Sequence, residues 1–329
     1  MIITQTPLRI SLAGGGTDFR DFYIKEGGAV VSTTIDKYVY VIIKERFDDK
    51  IYINYSRKEI VDSVEEIKHG IVREAMKKTG VEKGVEITVL ADVPSEGSGL
   101  GSSSSFTVGL LNALYAHKGT FVGAAQLAEE ACGIEIDALM APIGVQDQYI
   151  AAYGGLRFFE FSKDGRVKSE RLDINANEKM RLYSSLLLFF TNITRSAATV
   201  LSEQKNNITE KVKELKRIRD FAYMTRECIN KGYFDDIGKL LHEGWLEKKR
   251  LASNISAPAI DEDYEKARGA GATGGKLAGA GGGGFLLLYC PLEQQNSLKK
   301  ALNGMRELPF MGEKDGSKVI FNMGRYEWK

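Results

Sequence analysis

An α+β fold in two domains is predicted by three observations. Alternating apolar residues crowd the first third of the chain. Helical spacings then follow in separate stretches rather than in strict alternation with strands. With 329 residues, 43% of them hydrophobic, the chain exceeds what one core usually organises.

The elements follow in chain order. In LRISLA, Leu8, Ile10 and Leu12 alternate with Arg9 and Ser11, and YVYVIIKERF and KIYINYS continue with β-branched and aromatic residues, so the chain opens mostly as sheet. EEIKHGIVREAMKKTG sets Ile67, Ile71, Val72, Ala75 and Met76 at helical spacing, and VEITVLADV returns to strand. Helices are expected over 102–117 and about 121–140, then a strand pair around GLRFFEF. The polar stretch SKDGRVKSERLDINANEK marks a boundary, giving units of 1–165 and 166–329. The second unit opens with an expected strand, LYSSLLLFF, runs through helical stretches at 199–231 and 234–252, and reaches nine glycines within 269–284.

Composition limits the partners. The 45 basic and 44 acidic residues are scattered, without the concentrated basic face of a nucleic-acid or anionic-membrane binder. The partner expected is a small molecule. Cys132, Cys228 and Cys290 stand far apart and there are three histidines, so neither a disulfide framework nor a zinc site is indicated. Apolar bursts such as FLLLYC are too short to cross a bilayer, and the opening residues carry charge where a signal peptide needs an apolar block. A cytoplasmic location is expected.

The most informative stretch is SEGSGLGSSSS, residues 95–105, between an expected strand and an expected helix. A helix N-terminus exposes unpaired N–H groups and partial positive charge, and preceding glycines let a ligand approach the main chain closely. One serine would serve as a helix cap. Four serines after GSGLG go beyond capping and point to phosphate. The P-loop pattern is absent and no lysine follows the glycines. Dipole attraction of about 0.3 to 2 kcal/mol per anion is too weak to hold a triphosphate alone, so a divalent metal with hard oxygen ligands is expected. Glu129, Glu130, Glu135 and Asp137 all offer carboxylates, and spacing does not choose among them.

Two further segments carry candidates. GAGGGG at 279–284 matches GxGxxG formally, but it precedes the strand-like FLLLYC where a dinucleotide turn would follow a strand, so it reads as a second ligand-facing loop. TPLRISLAGGGTDF places Arg9 opposite a core face, where arginine is usually exposed, and PIGVQDQYIAAYGG sets Asp147 between two glutamines as either a cap or a site group.

TPLRISLAGGGTD, PSEGSGLGSSSSF and KLAGAGGGGF together resemble the three ordered motifs of the GHMP kinases, and SSFTVGLLNALYA, IEIDALMAPIGVQDQYIAAYGG and TNITRSA extend the resemblance toward the bacterial heptose 7-phosphate kinases of that family over nearly the whole chain. The resemblance implies an N-terminal ribosomal protein S5 domain 2-like unit and a C-terminal ferredoxin-like α/β sandwich. It also implies ATP as phosphoryl donor, with Gly97, Ser98, Gly99, Leu100, Gly101, Ser102, Ser103 and Ser104 around its phosphates, and Mg²⁺ on Ser103 and Glu135. Asp147 and Arg9 match the catalytic pair. Gly16, Thr17, Asp18, Asp147 and Gln148 match sugar contacts, with Gly281 and Gly282 on the ligand-facing loop, and Arg195 is the candidate for a sugar phosphate. Galactokinase-like members carry an acidic and basic pair where this chain has GGG, which puts galactose in doubt. The activity implied is phosphorylation of the anomeric hydroxyl of D-glycero-D-manno-heptose 7-phosphate to the 1,7-bisphosphate. The competing reading is an anomeric kinase for an unphosphorylated galactose, fucose or amino sugar. The expected partners are a sugar phosphate and ATP, without nucleic acid or membrane, and a homodimer is the candidate assembly.

Overall fold

A computed structural model describes residues 1–94, 97–193 and 197–323. Two sheets carry the chain. The first contains β1 (Ile2–Ala13), β2 (Gly28–Glu45), β3 (Ile51–Asn54), β4 (Lys58–Val61), β5 (Val85–Ala91), β6 (Leu156–Phe161) and β7 (Val167–Arg171). The second contains β8 (Leu186–Phe190), β9 (Gly274–Leu277), β10 (Phe285–Tyr289) and β11 (Arg306–Glu307), and β12 (Lys318–Asn322) returns to the first sheet beside β1. The path β12-β1-β2-β5-β3-β4 is antiparallel except where β3 runs parallel to β5, and β6 pairs with the first part of β2. The second sheet has the order β11-β8-β10-β9, all antiparallel. The mixed architecture expected from the sequence is therefore present. The boundary expected at 165 falls in the turn between β6 and β7, and the sheets part further on, between β7 and β8.

Eleven α-helices cover these sheets among the described residues. In the first half they are α1 (Arg20–Glu26), α2 (Gly70–Thr79), α3 (Ser102–His117), α4 (Ala124–Cys132) and α5 (Gln146–Tyr153). In the second they are α6 (Ala176–Ser184), α7 (Ala197–Asn206), α8 (Val212–Lys231), α9 (Phe234–Lys248), α10 (Pro258–Gly269) and α11 (Gln295–Ala301). Amphipathic spacing explains α2, whose Val72, Ala75, Met76 and Thr79 are buried, and α8, which buries Leu215, Ile218, Ala222 and Ile229 on one stripe. By contrast α3 is buried on nearly all sides, as its polar-poor FTVGLLNALYA requires, and it packs on β1 and β2. No described helix is long and apolar enough to cross a membrane.

Three boundaries differ from the sequence expectation. The strand expected over LYSSLLLFF is shorter, because Asn175 and Glu178 form a reciprocal capping box that carries α6 through Leu182 to Ser184. The stretch 199–231 breaks between α7 and α8, where the Asn207 side chain donates to the Leu251 carbonyl at 2.9 Å. The expected helix to residue 140 winds from α4 into a π-helical turn, Gly133–Ala138, which carries Glu135.

Candidate active site

The site is built where β1, the loop before α3, the start of α5 and the glycine turn between β9 and β10 converge. Both faces of β1 are buried from Thr6 to Ala13, since α3, α5, α8 and α9 all pack on this strand. Arg9 is therefore 4% exposed rather than solvated. A buried guanidinium needs acceptors. Its Nε donates to Asp147 Oδ1 at 2.7 Å, Nη2 to Oδ2 at 2.5 Å, and Nη1 to the Gly99 carbonyl at 2.6 Å. This bidentate pair fixes Asp147, in the first turn of α5, against the loop that precedes α3.

That loop is shaped by glycine. Gly97, Gly99 and Gly101 all have positive φ, and the last, at +78°, is the N-cap of α3. None of the serines caps the helix through its side chain. Ser102 Oγ pairs with Ser98 Oγ at 3.1 Å, Ser105 Oγ donates to the Pro7 carbonyl at 2.8 Å, and Ser103 Oγ donates to Glu135 Oε1 at 2.5 Å. Gly97, Ser98, Gly99, Gly101 and Ser102–Ser104 line one recess with Glu135, Asp147 and Gly281. Leu100 does not: its side chain is fully buried, and its carbonyl accepts from the Arg9 amide at 3.0 Å, so it anchors the loop. The glycine turn closes the other wall. A Cβ on Gly99 would sit 2.4 Å from the Ala278 carbonyl, and one on Gly279 would sit 2.6 Å from Gly99 Cα, so the two backbones touch.

Glu135 is 2% exposed, and its second oxygen accepts from Gln148 Nε2 at 2.8 Å. Burial pushes its carboxyl up from the ordinary value, against the downward pull of the Ser103 and Gln148 hydrogen bonds. A hydroxyl and a carboxylate in contact are hard oxygen donors fitting Mg²⁺, which takes one or two protein ligands and completes its shell with phosphate and water. Among the described residues no cluster of three or more His, Cys, Asp or Glu offers an all-protein site.

A second recess adjoins the first and shares Arg9 and Asp147 with it. Gly15, Gly16 and Asp18 form one side, Gln146 and Asp147 another, and Lys248 and Lys276 a third. Asp18 Oδ1 accepts from the Gly16 amide at 2.9 Å and Oδ2 from the Gln146 amide at 3.2 Å, tying the GGGTD turn to the start of α5. Burial, and then the charge of Asp147, push its carboxyl up.

Several expected contacts lie elsewhere. Thr17 is fully buried away from the recess, its hydroxyl within bonding reach of the Gly14 and Ala29 carbonyls. Gln148 faces Glu135, and Gln146 takes the place at the recess expected for it. The Gly282 amide donates to the Ile255 carbonyl at 2.8 Å, and Gly281 lines the recess beside α3 rather than the one beside Asp18. Arg195 lies outside the described residues. Of the other candidate carboxylates, Glu129 is exposed, whereas Glu130 is half-buried and accepts from the Tyr115 hydroxyl at 2.7 Å.

Sequence reasoning missed Ser11, Lys248 and Lys276. Lys276 had a signal, since it interrupts a strand otherwise made of glycine and leucine in GGKL. Lys248 had none, because KKR at a helix end reads as a solvated last turn.

Comparison with known proteins identifies the family. The model of the GHMP kinases N terminal domain matches residues 62–155, and that of the GHMP kinases C terminal domain matches 225–307. A D-glycero-alpha-D-manno-heptose 7-phosphate kinase of Campylobacter jejuni is 33% identical over 318 residues, 92% of this chain and 93% of its own. The crystal structure of a D-glycero-D-manno-heptose 1-phosphate kinase from Bacteriodes thetaiotaomicron superposes with a TM-score of 0.82 at 26% identity, over 98% of this chain and all of that one. A putative sugar kinase from Campylobacter jejuni gives 0.76 at 30% identity, over 97% of each chain. The chain belongs to the GHMP kinase family, phosphotransferases with an alcohol group as acceptor.

Proposed function

We propose that the protein transfers the γ-phosphoryl group of ATP to the anomeric hydroxyl of D-glycero-D-manno-heptose 7-phosphate, giving the 1,7-bisphosphate and ADP for nucleotide-activated heptose synthesis in the cytoplasm. The carrying observation is that the Arg9–Asp147 pair lies on the wall common to two recesses, so a donor phosphate in one and a sugar hydroxyl in the other would meet at that pair. The similarity to the heptose 7-phosphate kinase over nearly the full length of both chains supports the sugar.

Each recess has chemistry suited to its occupant. The unpaired N–H groups at the start of α3, with the Gly97–Gly101 main chain, suit the triphosphate. Beyond Ser102 and Ser103 an apolar cleft of Val39, Tyr55, Val89 and Phe106 suits the adenine ring. Asp147 would orient the anomeric hydroxyl and accept its proton as the oxygen bonds to phosphorus, using lone pairs that Arg9 leaves free. Arg9 would steady the charge shared by the carboxylate and the incoming oxygen. Mg²⁺ on Ser103 and Glu135 would supply neutralisation of phosphate charge. Asp18, held by two amides, and Gln146 would set the sugar's position.

The test is ATP consumption with D-glycero-D-manno-heptose 7-phosphate beside galactose, fucose and unphosphorylated heptose, with the product identified by phosphorus NMR. The 1,7-bisphosphate is expected. Faster turnover of a free hexose, or a product phosphorylated elsewhere, overturns the assignment.

A further inference from the structure

The sugar recess holds more positive charge than its carboxylates use. Lys248 and Lys276 line it, each only 6% exposed, and among the described residues neither makes an ion pair. Their hydrogen-bond acceptors are main-chain carbonyls, that of Gly279 for Lys248 and that of Ser11, at 2.9 Å, for Lys276. An ammonium has three donors, so two remain on each lysine. Both recess carboxylates are already engaged, Asp147 by Arg9 and Asp18 by two amides. Three cations therefore face two carboxylates. Beside them the Ser11 hydroxyl, 5% exposed and also on the recess wall, has no hydrogen-bond partner. Buried ammonium groups without a counter-charge and a buried hydroxyl without a partner are costly, and an anion between them would satisfy all three.

We propose that Lys248, Lys276 and Ser11 form a subsite for an anionic substituent of the sugar, a phosphate ester, and that this subsite sets the preference for a phosphorylated over a free sugar. The proposal rests on the reading of this recess as the acceptor site. A phosphate offers three acceptor oxygens and up to two negative charges, matching two ammonium groups and a hydroxyl. The electrostatics agree: burial pulls Lys248 down to about 8, and burial, then the nearby Lys248 and Arg9 charges, pull Lys276 well down, both penalties that a bound anion relieves. A purely structural role is the competing account, because Lys248 ties α9 to the glycine turn and Lys276 ties β9 to β1. That role would affect phosphorylated and free sugars alike.

The experiment compares D-glycero-D-manno-heptose 7-phosphate with unphosphorylated D-glycero-D-manno-heptose, by calorimetric binding and by kcat/KM, on the wild type, K248M, K276M, K248R and S11A. The wild type should favour the phosphorylated sugar. K248M and K276M should each cut that ratio about tenfold or more, chiefly through KM, as expected for a lost hydrogen bond between charged groups. K248R should retain most of the ratio, and S11A, which removes one oxygen and should fold normally, should lower it several-fold. An equal fall for both sugars, an unchanged ratio, or no wild-type preference overturns the subsite. If a lysine variant melts early, S11A and K248R decide. Absence of ATP turnover with either sugar overturns the heptose reading instead, and the calorimetric ratio still judges the subsite.

Discussion

The guanidinium of Arg9 and the carboxylate of Asp147 meet in a two-bond pair, 2.7 and 2.5 Å long, although 138 residues separate them in the chain. Such a pair has both a catalytic and a structural consequence. Asp147→Asn keeps an acceptor for Arg9 but removes the base, and turnover should fall about 10²-fold or more with little change in melting temperature. Asp147→Ala strands a buried guanidinium and should in addition cost about 3–5 kcal/mol of stability. Turnover assays and thermal melts on both variants separate the effects. Wild-type turnover in Asp147→Asn would remove the carboxylate from the chemistry.

The Ser103–Glu135–Gln148 chain makes a different prediction. Glu135→Gln removes the one carboxylate of the expected Mg²⁺ site and should raise the half-saturating Mg²⁺ concentration by at least the roughly 10- to 100-fold seen when supporting groups of metal sites are changed. Gln148→Leu leaves Glu135 Oε2 buried without its donor and should move the Mg²⁺ titration in the same direction while leaving the KM for sugar near wild type. A Gln148→Leu variant with raised sugar KM and an unchanged Mg²⁺ titration would return Gln148 to the sugar contacts.

The difference between what was legible and what was not follows the range of the interactions. Local signals were readable: alternation gave the strands of the first sheet, and the spaced glycines gave a helix start with open amides. Selecting Glu135 over Glu129 and Glu130 required the family resemblance, because what distinguishes it is a π-helical turn that aims it at Ser103. Gln146 and Gln148 flank Asp147 symmetrically in sequence, and only the helix phase of α5 decides which faces the recess. Lys248 was illegible because its burial comes from the glycine turn 31 residues further on.

Contact between the loop before α3 and the glycine turn predicts an intolerance to a single methyl group. Gly99 has φ +73°, and its Cβ would lie 2.4 Å from the Ala278 carbonyl, a position that main chain cannot vacate cheaply. Gly99→Ala should therefore destabilise the fold by about 1–3 kcal/mol and raise the KM for ATP more than that for the sugar. Gly119→Ala is the control, since its φ is also positive, +69°, but nothing lies within 4 Å of its Cβ. Melting curves and nucleotide titrations check both, and equal behaviour of the two variants would mean that the loops separate freely.

Lys248 predicts a pH dependence of stability. Burial lowers its folded value to about 8, with the Arg9 charge acting in the same direction and Asp18 and Asp147 opposing, whereas an unfolded lysine titrates near 10.4. Below pH 8 both states hold the proton and the cost of burying the charge is fully felt. Between 8 and about 10.4 the unfolded state binds more protons than the folded one, so raising the pH favours folding. Relative to Lys248→Met, the wild type should gain on the order of 3 kcal/mol across that window, less whatever Lys276 returns when its neighbour's charge is removed. Denaturant melts of both proteins at pH 7, 8, 9 and 10 measure the difference directly. A difference that stays flat, or that moves against the wild type as pH rises, would mean that Lys248 keeps an ordinary affinity for its proton in the folded protein.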